Sequence, residues 1–311
     1  MYRFISLLFL LFPFIIFSHQ SNALKNGANK TFTIGIISSK PKKRIKETTP
    51  LMEYIVKHST EYDQGKILVI DNVKEMANLL KDGTVTMLST TSYAALLIEN
   101  QTNAKIMALR WKEGVESYHS VIFTRKNSQL NEIKELVGRT ITFEKSSSTS
   151  GFFMPSIYLL NKGFKLQKMN SIKQKPDPDK IGYIFIDDHL HQSNEINMSI
   201  WVFHRRLDAS AFSNLDWDDN QTTPENAKKQ LRIIAETPLF PRGVILISPT
   251  LNTTSQNALL NILFTADKTK EGIKAMEKFK RTSQFSPITS SMLKLLEEAR
   301  QQLLANLGIY K

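Results

Sequence analysis

Short apolar runs alternate with helix-spaced segments along the first third of this chain, and that alternation narrows the fold more than any other feature. Residues 31–37, 66–70, 84–88 and 104–110 read as strands, with helical apolar spacing at 50–58, 73–81 and 93–99 between them. The βαβα order predicts an α/β chain whose mostly parallel sheet is covered by helices on both faces. Residues 120–124 form another strand, followed by a helix near 130–137 and a strand at 138–143. Later strands are read at 182–186, 233–235 and 243–247, and terminal helices at 255–264, 270–280 and 292–307. Residues 176–179 and 216–224 read as exposed loops. Setting aside an N-terminal leader, about 290 residues remain, more than one core usually fills, so two lobes are expected.

After the strand 138–143 comes Glu144-Lys145-Ser146-Ser147-Ser148-Thr149-Ser150-Gly151, and then an apolar-faced helix containing Phe152, Pro155, Ile157, Leu159 and Leu160. A helix N-terminus leaves its first N–H groups unpaired and carries partial positive charge. Hydroxyls in the cap and first turn add donors beside those amides. Such a turn suits a small oxyanion: a phosphate, a phosphonate or a carboxylate. The structural alternative is that Ser148 or Thr149 simply caps the helix.

The leader consists of Arg3, an apolar run at 4–17 broken by Ser6 and Pro13, and the small residues Ser21, Asn22 and Ala23. It predicts a cleaved secretory signal peptide over residues 1–23 and a mature chain from Leu24, with an uncleaved anchor as the alternative. No later run has the length of a membrane span. The chain has no cysteine, which excludes a disulfide framework, a thiolate metal site, a cysteine nucleophile and a lipid anchor on cysteine. A free periplasmic protein is expected.

The formal net charge of +12 favours anionic partners. Export and the lack of a recognition motif argue against nucleic acid. The basic run at 40–46 directly follows the first strand; it steers anions toward a cleft or is a solvated loop. Enzyme motifs are missing: no HExxH spacing, no Gly-x-Ser-x-Gly elbow and no glycine-rich phosphate loop. His189 and His191 beside Asp187 and Asp188 suggest a metal site or, more simply, a polar loop. No enzyme, cofactor or metal is expected.

Several patches carry a family resemblance. Leu136-Val137-Gly138-Arg139-Thr140-Ile141-Thr142-Phe143, then Ser148-Thr149-Ser150-Gly151 and Pro155, is similar to the Leu-x-Gly-Lys, strand, Ser-Thr-Ser-Gly and proline pattern of the periplasmic phosphate/phosphite/phosphonate-binding proteins of ABC transporters. Weaker patches are Leu80-Lys81-Asp82-Gly83 leading to Tyr93, Gly114 with Tyr118, Leu207-Asp208-Ala209, and Thr237-Pro238-Leu239-Phe240-Pro241. The resemblance runs from about residue 31 to about residue 293. It implies a type II periplasmic-binding-protein-like fold: two α/β lobes, a ligand cleft and two crossovers near 117–120 and 235–242. Lobe 1 is then 24–118 with 240–311, lobe 2 is 119–239, and the C-terminal helices pack back on lobe 1. It also implies that Ser148, Thr149 and Ser150 hold a phosphorus oxyanion, that Tyr93 lines the cleft opposite them, and that Tyr118 lines it or packs the hinge.

The departures from the family concern the ligand's other end. Relatives that bind aminoalkylphosphonates place two acidic residues against the amine; here those positions read Ser213 and Gly243. Asn194 or Glu195 stands where relatives have a cleft histidine or its neighbour, and Val85-Thr86 replaces a Val-Asp in a shortened loop. Arg242 favours extra negative charge if it faces the cleft; the commoner alternative is a surface arginine. The implied function is the solute-binding component of an ABC importer for phosphate, phosphite or phosphonate: a monomer whose partners are the oxyanion and a permease, reaching the membrane only through the permease. The alternative is the same fold used as a sensory module for a membrane receptor or kinase.

Overall fold

The computed structural model describes residues 30–190, 195–306 and 308; the leader, Asn194 and His191 lie outside that set. Fourteen strands occur among the described residues: β1 (Thr31–Ile37), β2 (Gln64–Ile70), β3 (Met87–Thr90), β4 (Lys105–Lys112), β5 (Ser117–Tyr118), β6 (Ser120–Arg125), β7 (Thr140–Phe143), β8 (Lys165–Lys168), β9 (Lys180–Phe185), β10 (Ala209–Ser213), β11 (Leu231–Glu236), β12 (Phe240–Pro241), β13 (Val244–Ile247) and β14 (Thr282–Ser286). They form two six-stranded sheets, ordered β14-β4-β13-β3-β1-β2 and β11-β6-β10-β7-β9-β8. The short ribbon of β5 and β12 pairs Tyr118 with Phe240 and Ser117 with Pro241 where the chain passes between the sheets.

The first sheet is mixed rather than mostly parallel, contrary to the expectation from βαβα order, whereas three of the five pairings in the second are parallel. β1 runs parallel to β2 and β3, but β13 is antiparallel to β3 and β4, and β14 is antiparallel to β4. The reason is the return of the chain: β13 enters the first sheet from the second and slots between β3 and β4. In the second sheet β7, β8, β9 and β10 are parallel, and β6 runs against β10 and β11. Each sheet is covered on both faces, and an inner strand such as β13 reads as a continuous apolar run. Phe32, Ile34 and Ile36 face one core of the first lobe, while Leu88, Val244 and Leu246 face the other. Val121 and Phe123 likewise separate from Ile122 across the second sheet.

Several local expectations are corrected. The first helix spans Pro41–His58, so the basic run lies in helical turns rather than a loop, and Pro50 sits inside the helix. Proline at the first helical position costs nothing, and burial of Thr48, Leu51, Tyr54 and Ile55 holds the helix past the interior proline. The helix read at 130–137 is one 3-10 turn, Ile133–Leu136, with a Glu132/Glu135 capping box. Strand β3 lies two or three residues later than expected. Residues 216–224 are not simply an exposed loop: a short helix, Asn214–Asp218, starts there on a Ser213 cap. The last helix, Ser290–Ala305, does not pack on the first lobe alone. Leu296, Ala299 and Leu303 share a core with Phe153, Met154 and Ile157 of the second lobe, so it bridges both.

Candidate oxyanion site between the lobes

The hydroxyl-rich turn is built as a tight loop locked on its own strand. Glu144 N–H donates to the Gly151 carbonyl (3.0 Å), and Ser148 N–H donates to the Lys145 carbonyl (3.0 Å). The Ser148 hydroxyl accepts from Gly151 N–H at 2.9 Å, which makes Ser148 the cap. Residues Thr149–Phe153 form a π turn, with Phe153 N–H donating to the Ser148 carbonyl, before α-helix Met154–Asn161 continues. Single π turns occur often at functional sites. Glycine is required at 151: a Cβ there would sit 2.7 Å from the Glu144 Cβ and 2.9 Å from the Ser148 hydroxyl.

The structure brings most of the sequence-predicted residues together around this turn. Thr149, 4% exposed, accepts from Tyr93 N–H at 3.4 Å, so the first lobe meets the turn directly. Tyr93 stacks on Phe153 with ring centroids 4.4 Å apart, and burial pushes its phenol up to about 12. The helix Ser92–Gln101 starts there, so two helix N-termini converge. The Ser150 carbonyl accepts from the Ser120 hydroxyl at 2.7 Å, and its side chain hydrogen-bonds the Tyr118 phenol. Burial pushes Tyr118 up to about 12, and the Arg242 guanidinium lies over its ring at 5.3 Å. Arg242 thus packs on Tyr118, its side chain only 16% exposed.

Carboxylates stand near the turn, although neither 213 nor 243 is acidic. Ser213 is a cap whose hydroxyl accepts from Asp216 N–H (3.1 Å) and donates to the Asp216 carboxylate (2.5 Å), so it presents an acid rather than replacing one. Burial pushes Asp216 up, against the Ser213 hydrogen bond and the Arg242 charge, which lower it. Glu195 is pushed up to about 7, first by burial and then by the neighbouring carboxylates Glu144 and Asp216. Asn194 is outside the described residues. Sequence reasoning missed Ser120, Glu144 and Asp216, although Ser213-Asn214-Leu215-Asp216 is a Ser-x-x-acid capping pattern that marks a helix start.

A family model described as the phosphonate periplasmic substrate-binding protein of ABC transporters matches residues 34–293. The chain belongs to this family. Members are binding components of transporters rather than enzymes. The phosphonates-binding periplasmic protein of Escherichia coli is 23% identical over 206 residues, covering 63% of this chain and 56% of that protein. The chain thus spans little more than half the length of that relative. XAC2383 of Xanthomonas citri, solved bound to chloride and bound to ATP, is 25% identical with a TM-score of 0.78. That match covers 88% of this chain, and 98% and 97% of the two Xanthomonas chains. PhnD1 of Prochlorococcus marinus, in complex with methylphosphonate, shares the fold at 19% identity and TM-score 0.59, over 88% of this chain and 98% of that one. These neighbours establish the two-lobed type II periplasmic-binding-protein fold. No described helix is long and apolar enough to cross a membrane.

Proposed function

We propose that this protein is the periplasmic substrate-binding component of an ABC importer and holds a small phosphorus oxyanion, a phosphate, phosphite or phosphonate, between its lobes. The observation that carries the reading is the Ser148–Gly151 turn, which gathers three hydroxyls and a helix N-terminus against Tyr93 and Tyr118 of the other wall. Each charge-assisted hydrogen bond contributes about 1.5–3 kcal/mol, and about 8 kcal/mol corresponds to micromolar affinity. Four or so such bonds therefore suffice after ordering costs. Family membership and the methylphosphonate held by the Prochlorococcus relative support the ligand class.

A thermal-shift screen against phosphate, phosphite, methylphosphonate and sulfate tests the reading. A ligand at a hundred times its Kd stabilises by about 2.7 kcal/mol, an easily read rise in Tm. Thr149→Val keeps the shape but removes a hydroxyl, and is expected to weaken the bound oxyanion about tenfold to a hundredfold by calorimetry. Unchanged affinity in that variant would take the turn out of the site.

A further inference from the structure

On the first-lobe side of Tyr118 lies a group of cations that one small oxyanion does not account for. Arg110, on β4, is 6% exposed and forms no ion pair among the described residues. Its guanidinium occupies the space that a side chain at 243 would fill: a Cβ built on Gly243 would be 2.7 Å from an Nη and 3.0 Å from Nε. One Nη donates to the Thr282 hydroxyl at 3.3 Å, while Nε is buried with no partner. Lys280 reaches the same place from the turn before β14, its Nζ 3.4 Å from the Ser89 carbonyl and 5.8 Å from the Phe279 ring centroid. Arg110 stands 6.0 Å from that same ring. Arg242 also has a buried Nε without a partner, as do the hydroxyls of Ser89 and Ser117. Lys112 and Arg242 approach one carboxylate, Glu113, at 3.7 and 3.9 Å, and Arg281 shares it. Arg44 is answered by Glu47 at 2.7 Å.

A buried cation without a counter-charge is costly, and this fold keeps one, Arg110, close to the half-buried Lys280, with four orphaned polar atoms at Arg110, Arg242, Ser89 and Ser117. Lys280 and Arg281 also hold left-handed backbone (φ 53° and 57°) without being glycine, local strain of the kind that clusters at binding sites. We propose that Arg110, Lys280 and Arg242 form a second anion subsite, so that the ligand is a condensed phosphate with one phosphoryl group at the Ser148–Gly151 turn and another at this basic wall. Arg242, lying over the Tyr118 ring whose phenol meets Ser150, joins the two subsites. The inference rests on the oxyanion reading above and narrows it. Burial, with Arg110 and Arg44 nearby, pushes Lys280 down to about 7, and Glu47 opposes that. A polyanion that returns the charge to Lys280 takes up a proton on binding near pH 8.

Calorimetric titration of the purified protein with orthophosphate, methylphosphonate, diphosphate, tripolyphosphate and ATP tests this. Diphosphate is expected to bind at least about tenfold tighter than orthophosphate, the worth of one charge-assisted contact. In Arg110→Gln and Lys280→Gln that advantage should shrink about tenfold or more, with the apo Tm maintained in both and maintained or raised in Arg110→Gln, where an unpaired buried charge is gone. Arg242→Gln serves if either variant fails to fold. Proton uptake, read from two buffers of different ionisation enthalpy, should disappear in Lys280→Gln. Tighter binding of ATP than tripolyphosphate would make the natural chain a nucleotide's; the reverse would make it inorganic. Equal affinity for orthophosphate and diphosphate overturns the second subsite and leaves the oxyanion reading standing; no binding of any phosphorus oxyanion overturns both.

Discussion

Phe153→Ala should cost about 3–5 kcal/mol, the usual penalty for deleting a fully buried phenylalanine. Phe153 is 0% exposed and is the one aromatic of the π turn that faces away from its own lobe. It stacks on Tyr93 of the first lobe and meets Phe240 of the connecting ribbon edge-on at 6.3 Å. Its neighbour Phe152 points the other way, into the second-lobe core with Phe143, Tyr183 and Phe185. Removing the Phe153 ring opens a cavity at the join between lobes and releases the Tyr93 backbone from Thr149. Urea unfolding reads the stability loss, and calorimetry should show weaker oxyanion binding at the same time. Leu239→Ala is the control: that side chain is 54% exposed, and its change should stay within about 0.5 kcal/mol. If Phe153→Ala behaves like the control, the rings do not hold the lobes together.

Glu195→Gln should stabilise the protein above neutrality and hardly at all near pH 4. The carboxyl titrates near 7 in the folded chain against an ordinary value of 4.5, so the unfolded chain releases its proton first. Between those values rising pH favours unfolding, and the penalty is complete above about 7. At full size it is on the order of 3 kcal/mol, since each tenfold change in proton affinity is worth about 1.4 kcal/mol. Glutamine keeps the shape and removes the charge. Oxyanion binding should follow the same curve, weakening as the carboxylate forms beside Glu144 and Asp216, and flattening in the variant. Urea melts and titrations at pH 4 and pH 8 check both halves. A stability difference independent of pH would place Glu195 outside the half-buried carboxylate group.

Much of the fold is legible in the sequence because periodicity and punctuation agree wherever a strand or helix is buried in the ordinary way. The helix Val73–Lys81 starts on an Asn72 cap, and its apolar spacing marks the same residues. β10 gives no such signal: Ala209-Ser210-Ala211-Phe212-Ser213 is fully buried but small and polar, so neither alternation nor an apolar run announces it. The antiparallel entry of β13 depends on where the chain returns from the second lobe, a long-range fact that local spacing does not encode. The same division runs through the site. The oxyanion turn is contiguous, and its hydroxyls show in one stretch of sequence. The carboxylates at 144, 195 and 216 and the cations at 110, 242 and 280 converge from six separate segments. Reading Ser213 and Gly243 one position at a time misses both charge groups, because Asp216 folds back onto its cap and Arg110 fills the space over Gly243.

The most direct test of the central claim is calorimetry with orthophosphate and methylphosphonate on the wild type and on a Thr149→Val, Ser150→Ala double variant, alongside thermal melts of both. Saturable binding at about micromolar Kd or tighter is expected in the wild type, lost by about a hundredfold or more in the variant while its Tm stays within a few degrees. Equal affinity in the two proteins, or no heat from either ligand in the wild type, would contradict an oxyanion held at the Ser148–Gly151 turn.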